Sequence, residues 1–185
     1  MSLMTRTRAG YLAALAAGFS ISFAVLGAAA AAPAAPAAPA GGMVTRHFAL
    51  AASAFSPDGL HNTSLDYFNQ WDPATLSNQD TGRCFNAGLA LPSGATLKSV
   101  TAYYTAGSDV MFVEVSRQDL VSHTAVSLVD FDTAVASTPT YTSTTTAVPA
   151  ADAAVDMKVY AYSAGVCPTG NTTFSGLVVT YTQPG

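Results

Sequence analysis

Charge is scarce in this chain: Asp, Glu, Lys and Arg together make up 10% of its 185 residues, and only seven are Lys or Arg. From Met43 onward five basic residues remain, Arg46, Arg83, Lys98, Arg117 and Lys158, each isolated from the others, against all eleven acidic ones. Neutralising phosphates takes clustered Lys and Arg, so no nucleic-acid partner is expected. Cysteine is equally sparse. Two thiols exclude a disulfide-dense miniature scaffold, and they fall short of the four ligands of a zinc finger. The three histidines, His47, His61 and His123, lie far apart, with no His-x-x-x-His spacing and no Gly-x-Ser-x-Gly elbow. The sequence therefore offers no nucleophilic triad and no zincin site. After residue 42 there is no helical periodicity sustained over ten residues, which excludes a coiled coil, and no apolar run long enough to span a bilayer, so no membrane is expected to hold the mature form.

Long apolar character is confined to the N-terminus. Arg6 and Arg8 precede an uncharged stretch over residues 11–27, followed by small residues from Ala28 to Ala32, the order of charged, apolar and cleavage regions in a secretory signal. Residues 1–32 are expected to be that signal. No Cys follows to accept a lipid, and the two arginines are not adjacent, so lipoprotein and twin-arginine signals are excluded. Residues 33–42 form an Ala/Pro/Gly tether with Pro33, Pro36 and Pro39 at every third position. Proline fixes φ and removes a donor, which stiffens such a segment into an extended spacer. A single domain is expected over residues 43–185, in a secreted or cell-surface bacterial protein.

Cys84 and Cys167 suit that destination. They are the only pair, 83 residues apart, and in an oxidising compartment they are expected to bond. Closing a loop of that length removes unfolded-state entropy worth about 4 to 5 kcal/mol.

The body reads as strands. Residues 47–55 alternate Phe48, Leu50, Ala52 and Ala54 with polar or small neighbours, and residues 84–91 end at the turn signal Pro92-Ser93-Gly94. Over residues 97–105, Leu97, Ser99, Thr101 and Tyr103 fall on one side and Val100, Ala102 and Tyr104 on the other. Over residues 110–117 the face made by Met111, Val113 and Val115 is the expected core face. Further strands are expected at residues 124–131, 155–162 and 174–182. Residues 137–146 hold eight Ser or Thr in ten positions, a β-branched tract that reads as an exposed edge strand in preference to a glycosylated loop. About eight strands at short spacing with no helix predict an all-β fold, an antiparallel β-sandwich of jelly-roll type. Asn62-Thr63-Ser64 and Asn171-Thr172-Thr173 match the N-glycosylation pattern, one short enough to recur by chance.

Cys84-Phe85, the run from Gly88 through Leu91-Pro92-Ser93-Gly94-Ala95 to Leu97, then Val100-Thr101-Ala102-Tyr103-Tyr104 and finally Arg117-Gln118-Asp119-Leu120 together resemble a group of exported bacterial β-sandwich domains. In these an LP-x-GA turn leads into a tyrosine-bearing strand. The matching motifs are turn and strand devices spread over about residues 46–182. The resemblance implies the sandwich and an exported location, and it brings no activity with it.

Residues 55–83 read as a long loop, the kind of segment on which binding groups gather. Tyr67, Trp71 and Asp72 are the candidate ligand residues, since aromatic faces stack on the apolar side of sugar rings. The same aromatics would also serve as a plug over a sheet end. Asp58, Asp66, Asp72 and Asp80 offer hard oxygen donors, so calcium is the one cation to consider, although no Asp-x-Asp-x-Asp-Gly loop is present. Asp66 and Asp72 could flank a glycosidic bond, but Asp in a loop more often caps its own backbone, so no catalytic residue and no enzyme activity is expected. The expected function is that of a non-catalytic exported structural or surface-associated domain, self-associating or joined to the cell envelope. The alternative is a carbohydrate-binding module of lectin type, stabilised or not by calcium.

Overall fold

A computed structural model describes residues 41–58, 67–71, 74–78 and 83–185, with residues 67–71, 74 and 78 described through their backbone only. The expected signal segment and most of the tether lie outside the described residues. Among those described, no helix is long and apolar enough to cross a membrane.

Among the described residues eleven strands form two antiparallel sheets: β1 (Met43–Ala51), β2 (Ser56–Pro57), β3 (Tyr67–Trp71), β4 (Ala74–Asn78), β5 (Phe85–Gly88), β6 (Thr96–Ala106), β7 (Phe112–Asp119), β8 (Ala125–Asp132), β9 (Thr140–Ala147), β10 (Tyr160–Cys167) and β11 (Thr173–Pro184). Sheet A runs β3-β4-β11-β6-β9, with β1 also paired to β11, and sheet B runs β2-β5-β10-β7-β8. Only β3–β4 and β7–β8 are hairpins between sequence neighbours. Every other connection crosses from one sheet to the other, the jelly-roll-like habit the alternating pattern foretold.

The inner faces supply one core. Met111, Val113 and Val115 are fully buried, as expected of that face. Opposite them sheet A contributes Leu97, Val100, Ala102 and Tyr104 from β6 and Phe174, Leu177 and Val179 from β11. Burying each such side chain contributes about 1.5 to 3 kcal/mol. Phe55 meets Phe174 edge to face at 5.0 Å between ring centroids, and with Leu76 it closes one end of the sandwich.

The LP-x-GA segment is a tight turn. Ala95 N–H donates to Pro92 O at 3.1 Å, and Gly94 takes the positive φ of 83° that a Cβ would oppose. Ala95, buried behind it, starts the descent into β6. The Ser/Thr tract is the edge strand β9 of sheet A, as its composition indicated.

Three expectations need correction. The strand expected over residues 47–55 runs instead over Met43–Ala51, and Ala52–Ala54 form a short 3-10 turn that buries Ala52 and leaves Ala54 exposed. Residues 55–83 are not one loop, because they contain β2, β3 and β4. The tracts YFNQW and ATLSN are short, five residues each, and they pair with each other antiparallel. The strand expected at 155–162 starts five residues later, at Tyr160. Asp156 stops it: its Oδ1 accepts the Lys158 N–H at 2.9 Å and its carbonyl accepts the Tyr160 N–H at 3.2 Å, turning the chain before pairing begins.

Cys84 and Cys167 are bonded, with Cα atoms 4.1 Å apart. They continue the β5–β10 ladder by one rung beyond Phe85 and Val166. Asp58 N–H donates to Cys84 O at 3.0 Å on the other side, so the excursion that builds β3 and β4 leaves and rejoins sheet B at the same place.

Candidate functional site

Of the predicted ligand residues, Tyr67 and Trp71 stand at the two ends of β3, Trp71 opposite Ala74 and Tyr67 opposite Asn78. The hairpin docks on sheet A through β4, where Ser77 pairs with Thr173 and Leu76 with Phe174. Asp66, Asp72 and Asp80 lie outside the described residues. Of the four candidate calcium ligands only Asp58 is described, half-buried at the end of β2. Among the described residues no three His, Cys, Asp or Glu come together as a metal site.

The described residues instead build a site on the outer face of sheet A. Antiparallel register lays four strands side by side in rows. One row is His47, Thr180, Ser99 and Ala147; the next is Ala49, Val178, Thr101 and Thr145; the next is Ala51, Gly176, Tyr103 and Ser143; the last is Thr173, Thr105 and Tyr141. Strand side chains alternate between faces, so while Val100, Ala102 and Tyr104 fill the core, these residues, Gly176 excepted, are exposed or half-buried.

Two properties set the face apart. It is uncharged over most of its area, because β1, β6, β9 and β11 contain no Asp or Glu and only Arg46 and Lys98 as fixed cations. It also carries two exposed aromatic rings: Tyr103 is 37% and Tyr141 65% accessible. They occupy diagonal positions on adjacent strands, since Tyr103 faces Ser143 and Tyr141 faces Thr105. Diagonal neighbours on one face stand about 7 to 8 Å apart, so the rings form one patch. Gly176, next to Tyr103 in its row, is itself buried, because the Leu50 carbonyl oxygen lies only 2.8 Å from where a Cβ would stand.

The hydroxyls around the rings are held in place. Thr101 and Thr145 share a hydrogen bond of 2.8 Å between their Oγ1 atoms, and His47 Nδ1 lies 3.1 Å from Thr180 Oγ1. A hydroxyl has one donor and two acceptor positions, so each of these pairs keeps hydrogen-bonding capacity for a ligand. A planar apolar surface bordered by fixed hydroxyls matches a pyranose, whose C–H face stacks while its equatorial hydroxyls bond at the rim.

Sequence reasoning passed over this pair. Ser99, Thr101 and Tyr103 were already legible as one side of a strand; what the sequence did not show was that Tyr141 lands beside Tyr103, because that depends on how β9 pairs.

The outer face of sheet B has the opposite character. Glu114 stands directly opposite Asp130, and Asp132 lies one diagonal further, beside small residues Ala161, Ser163 and Gly165 of β10. Like charges facing each other across a ladder are unfavourable, and this face repels anionic ligands. Asp119, at the end of β7, is drawn below the ordinary carboxyl value of 3.8 by the backbone N–H groups of Ser122 and Val121, whose bonds to Oδ1 measure 2.9 and 2.8 Å. This is the work of a turn, not of a catalytic acid.

No family model matches the sequence. No curated protein matches it either. Among solved structures, the xylan-binding module CBM15 is similar in fold at 13% identity, covering 78% of this chain and 100% of that one with a TM-score of 0.48. The C-terminal CBM6 module of the laminarinase LamC from Zobellia galactanivorans is similar at 13% identity, over 73% of this chain and 99% of that one, with a TM-score of 0.44. The CBM22-1 and GH10 modules of xylanase 10B from Clostridium thermocellum, complexed with xylohexaose, match at 14% identity, over 77% of this chain and 28% of that one, with a TM-score of 0.42. At such identities no residue role passes from them to this chain.

Proposed function

We propose that this chain is an exported, non-catalytic glycan-binding β-sandwich module whose binding surface is the outer face of sheet A. The observation that supports the reading is the exposed pair Tyr103 and Tyr141 on an uncharged, hydroxyl-lined sheet. A face without carboxylates offers no acid or base for glycoside cleavage and no ligand for calcium, so binding there needs neither. Export is part of the proposal, and it accords with the secretory pattern of residues 1–32, the Cys84–Cys167 bond and the LP-x-GA resemblance.

The test is calorimetric titration and affinity electrophoresis against soluble xylan, laminarin and a panel of other neutral glycans. Tyr103→Ala and Tyr141→Ala are each expected to weaken binding by about tenfold, the loss of one stacking contact; the melting temperature is expected to hold for Tyr141→Ala, whose side chain is largely exposed, and to fall modestly for Tyr103→Ala, which is more covered. Chelation with EDTA is expected to change nothing. If Trp71→Ala abolishes binding and the tyrosine variants do not, the site is the β3–β4 hairpin; if no glycan binds, the reading fails.

A further inference from the structure

The free edge of β9 differs from the other strand edges of the molecule. An exposed edge presents unpaired N–H and C=O groups to any passing strand, and proteins usually blunt it with charge, proline, a bulge or brevity. Among the described strands the other edges are blunted in that way: β2 is two residues long and includes Pro57, β3 has only five residues, β8 displays Asp130 and Asp132 and is bulged opposite Val115 and Ser116, and β1 carries Arg46. β9 has eight residues, TYTSTTTA, with no charge and no proline, in unbroken register with β6. It spans about 26 Å at the usual rise per residue. Two side-chain bonds hold it straight against β6, Thr101 to Thr145 and Tyr104 Oη to Thr144 Oγ1 at 2.7 Å.

From this we infer that β9 pairs with β9 of a second copy of this chain, antiparallel across a two-fold axis, joining two copies of sheet A into one continuous sheet. The strand is self-complementary. With the axis at Thr144, Ser143 faces the partner's Thr145 and Thr142 faces the partner's Thr146, so hydroxyl meets hydroxyl along most of the interface. Charge selects this edge over β8 and β1, and length selects it over β2 and β3. The chain is acidic, with a formal net charge of −4, and pairing through β8 would set carboxylates against carboxylates, whereas β9 brings none. The dimer does not depend on the glycan reading.

Sedimentation equilibrium and light scattering of the full chain over a wide concentration range test it. A reversible dimer is expected. Ser143→Lys together with Thr145→Lys sets ammonium groups against each other across the axis, and is expected to raise the dimer dissociation constant on the order of a hundredfold, while Ala125→Lys on β8 leaves it unchanged. Mixing the double-lysine chain with a Ser143→Glu, Thr145→Glu chain is expected to restore dimers, now mixed. In the unsubstituted chain, hydrogen exchange at the outward-pointing amides of β9 slows as concentration rises. The inference is overturned by a monomer at all concentrations, by a dimer that survives the double lysine substitution, or by β9 exchange independent of concentration. Glycan binding by a monomer would leave the proposed function standing without the dimer.

Discussion

Tyr103 and Tyr104 are adjacent in sequence and opposite in role. Tyr104 is fully buried, yet its hydroxyl is satisfied twice: it accepts the Ala134 N–H at 2.9 Å and bonds Thr144 Oγ1 at 2.7 Å. Replacing it with Phe keeps the ring and strands the Ala134 donor, so Tyr104→Phe is expected to cost about 1 to 3 kcal/mol in chemical denaturation. Tyr103→Phe, at the surface, is expected to cost nothing measurable. The alternation of β6 was legible in the sequence, but which tyrosine points inward was not, because each face of that strand carries one. At Met111, Val113 and Val115 the answer was legible, since the opposite face holds Glu114, whose burial without a partner would be costly.

At the scale of the element, turns decided where sequence reading succeeded. Pro92-Ser93-Gly94-Ala95 was recognised because proline fixes φ and glycine admits the positive φ of a turn, both without help from the rest of the fold. Asp156 was passed over as a stop because an aspartate turns the chain only through bonds to amides further on, and these exist only once the fold forms. The β7–β8 turn depends in the same way on Asp119, with His123 at a φ of 60°. The Asp119 carboxylate is favoured in the folded state, so its native pKa lies below 3.8. Its contribution is present above that ordinary value and is lost as pH falls through the lower native one. Protection factors at Val121 and Ser122, with the intrinsic pH dependence of exchange divided out, are therefore expected to fall selectively under acid conditions, and Asp119→Ala to lower them at neutral pH. Uniform protection in both experiments would show the turn to be held by its backbone bonds alone. The β3–β4 hairpin was not legible, since five-residue strands carry too few alternations to stand out from a polar loop.

For the whole molecule, most pairings join strands distant in sequence, which makes folding slow and the unfolded chain costly to order. The bond between Cys84 and Cys167 offsets part of that cost, and its pairing was legible because no other choice existed. Reduction is expected to lower stability by about 4 kcal/mol, a fall in melting temperature on the order of 10 °C for a domain of this size. A calorimetric scan with and without reductant checks this; an unchanged melting temperature would show that the ladder between β5 and β10 suffices. The two-sheet architecture was legible from strand spacing. The proposed binding face was not, because it is assembled from four strands whose order in the sheet no local pattern specifies.

Met43 pairs with Pro184, and Gly185 N–H donates to Gly42 O at 3.1 Å, so the chain enters and leaves the domain through one corner. Tyr103 and Tyr141 lie toward the opposite end of sheet A: nine residues of β6 separate Thr96, in the row of Thr182, from Thr105, in the row of Tyr141. At the usual strand rise that is about 30 Å. The proposed binding surface therefore lies at the end of sheet A remote from the corner where Gly42 meets Gly185, and a protein fused after Gly185 would be carried at that corner, clear of the two tyrosines.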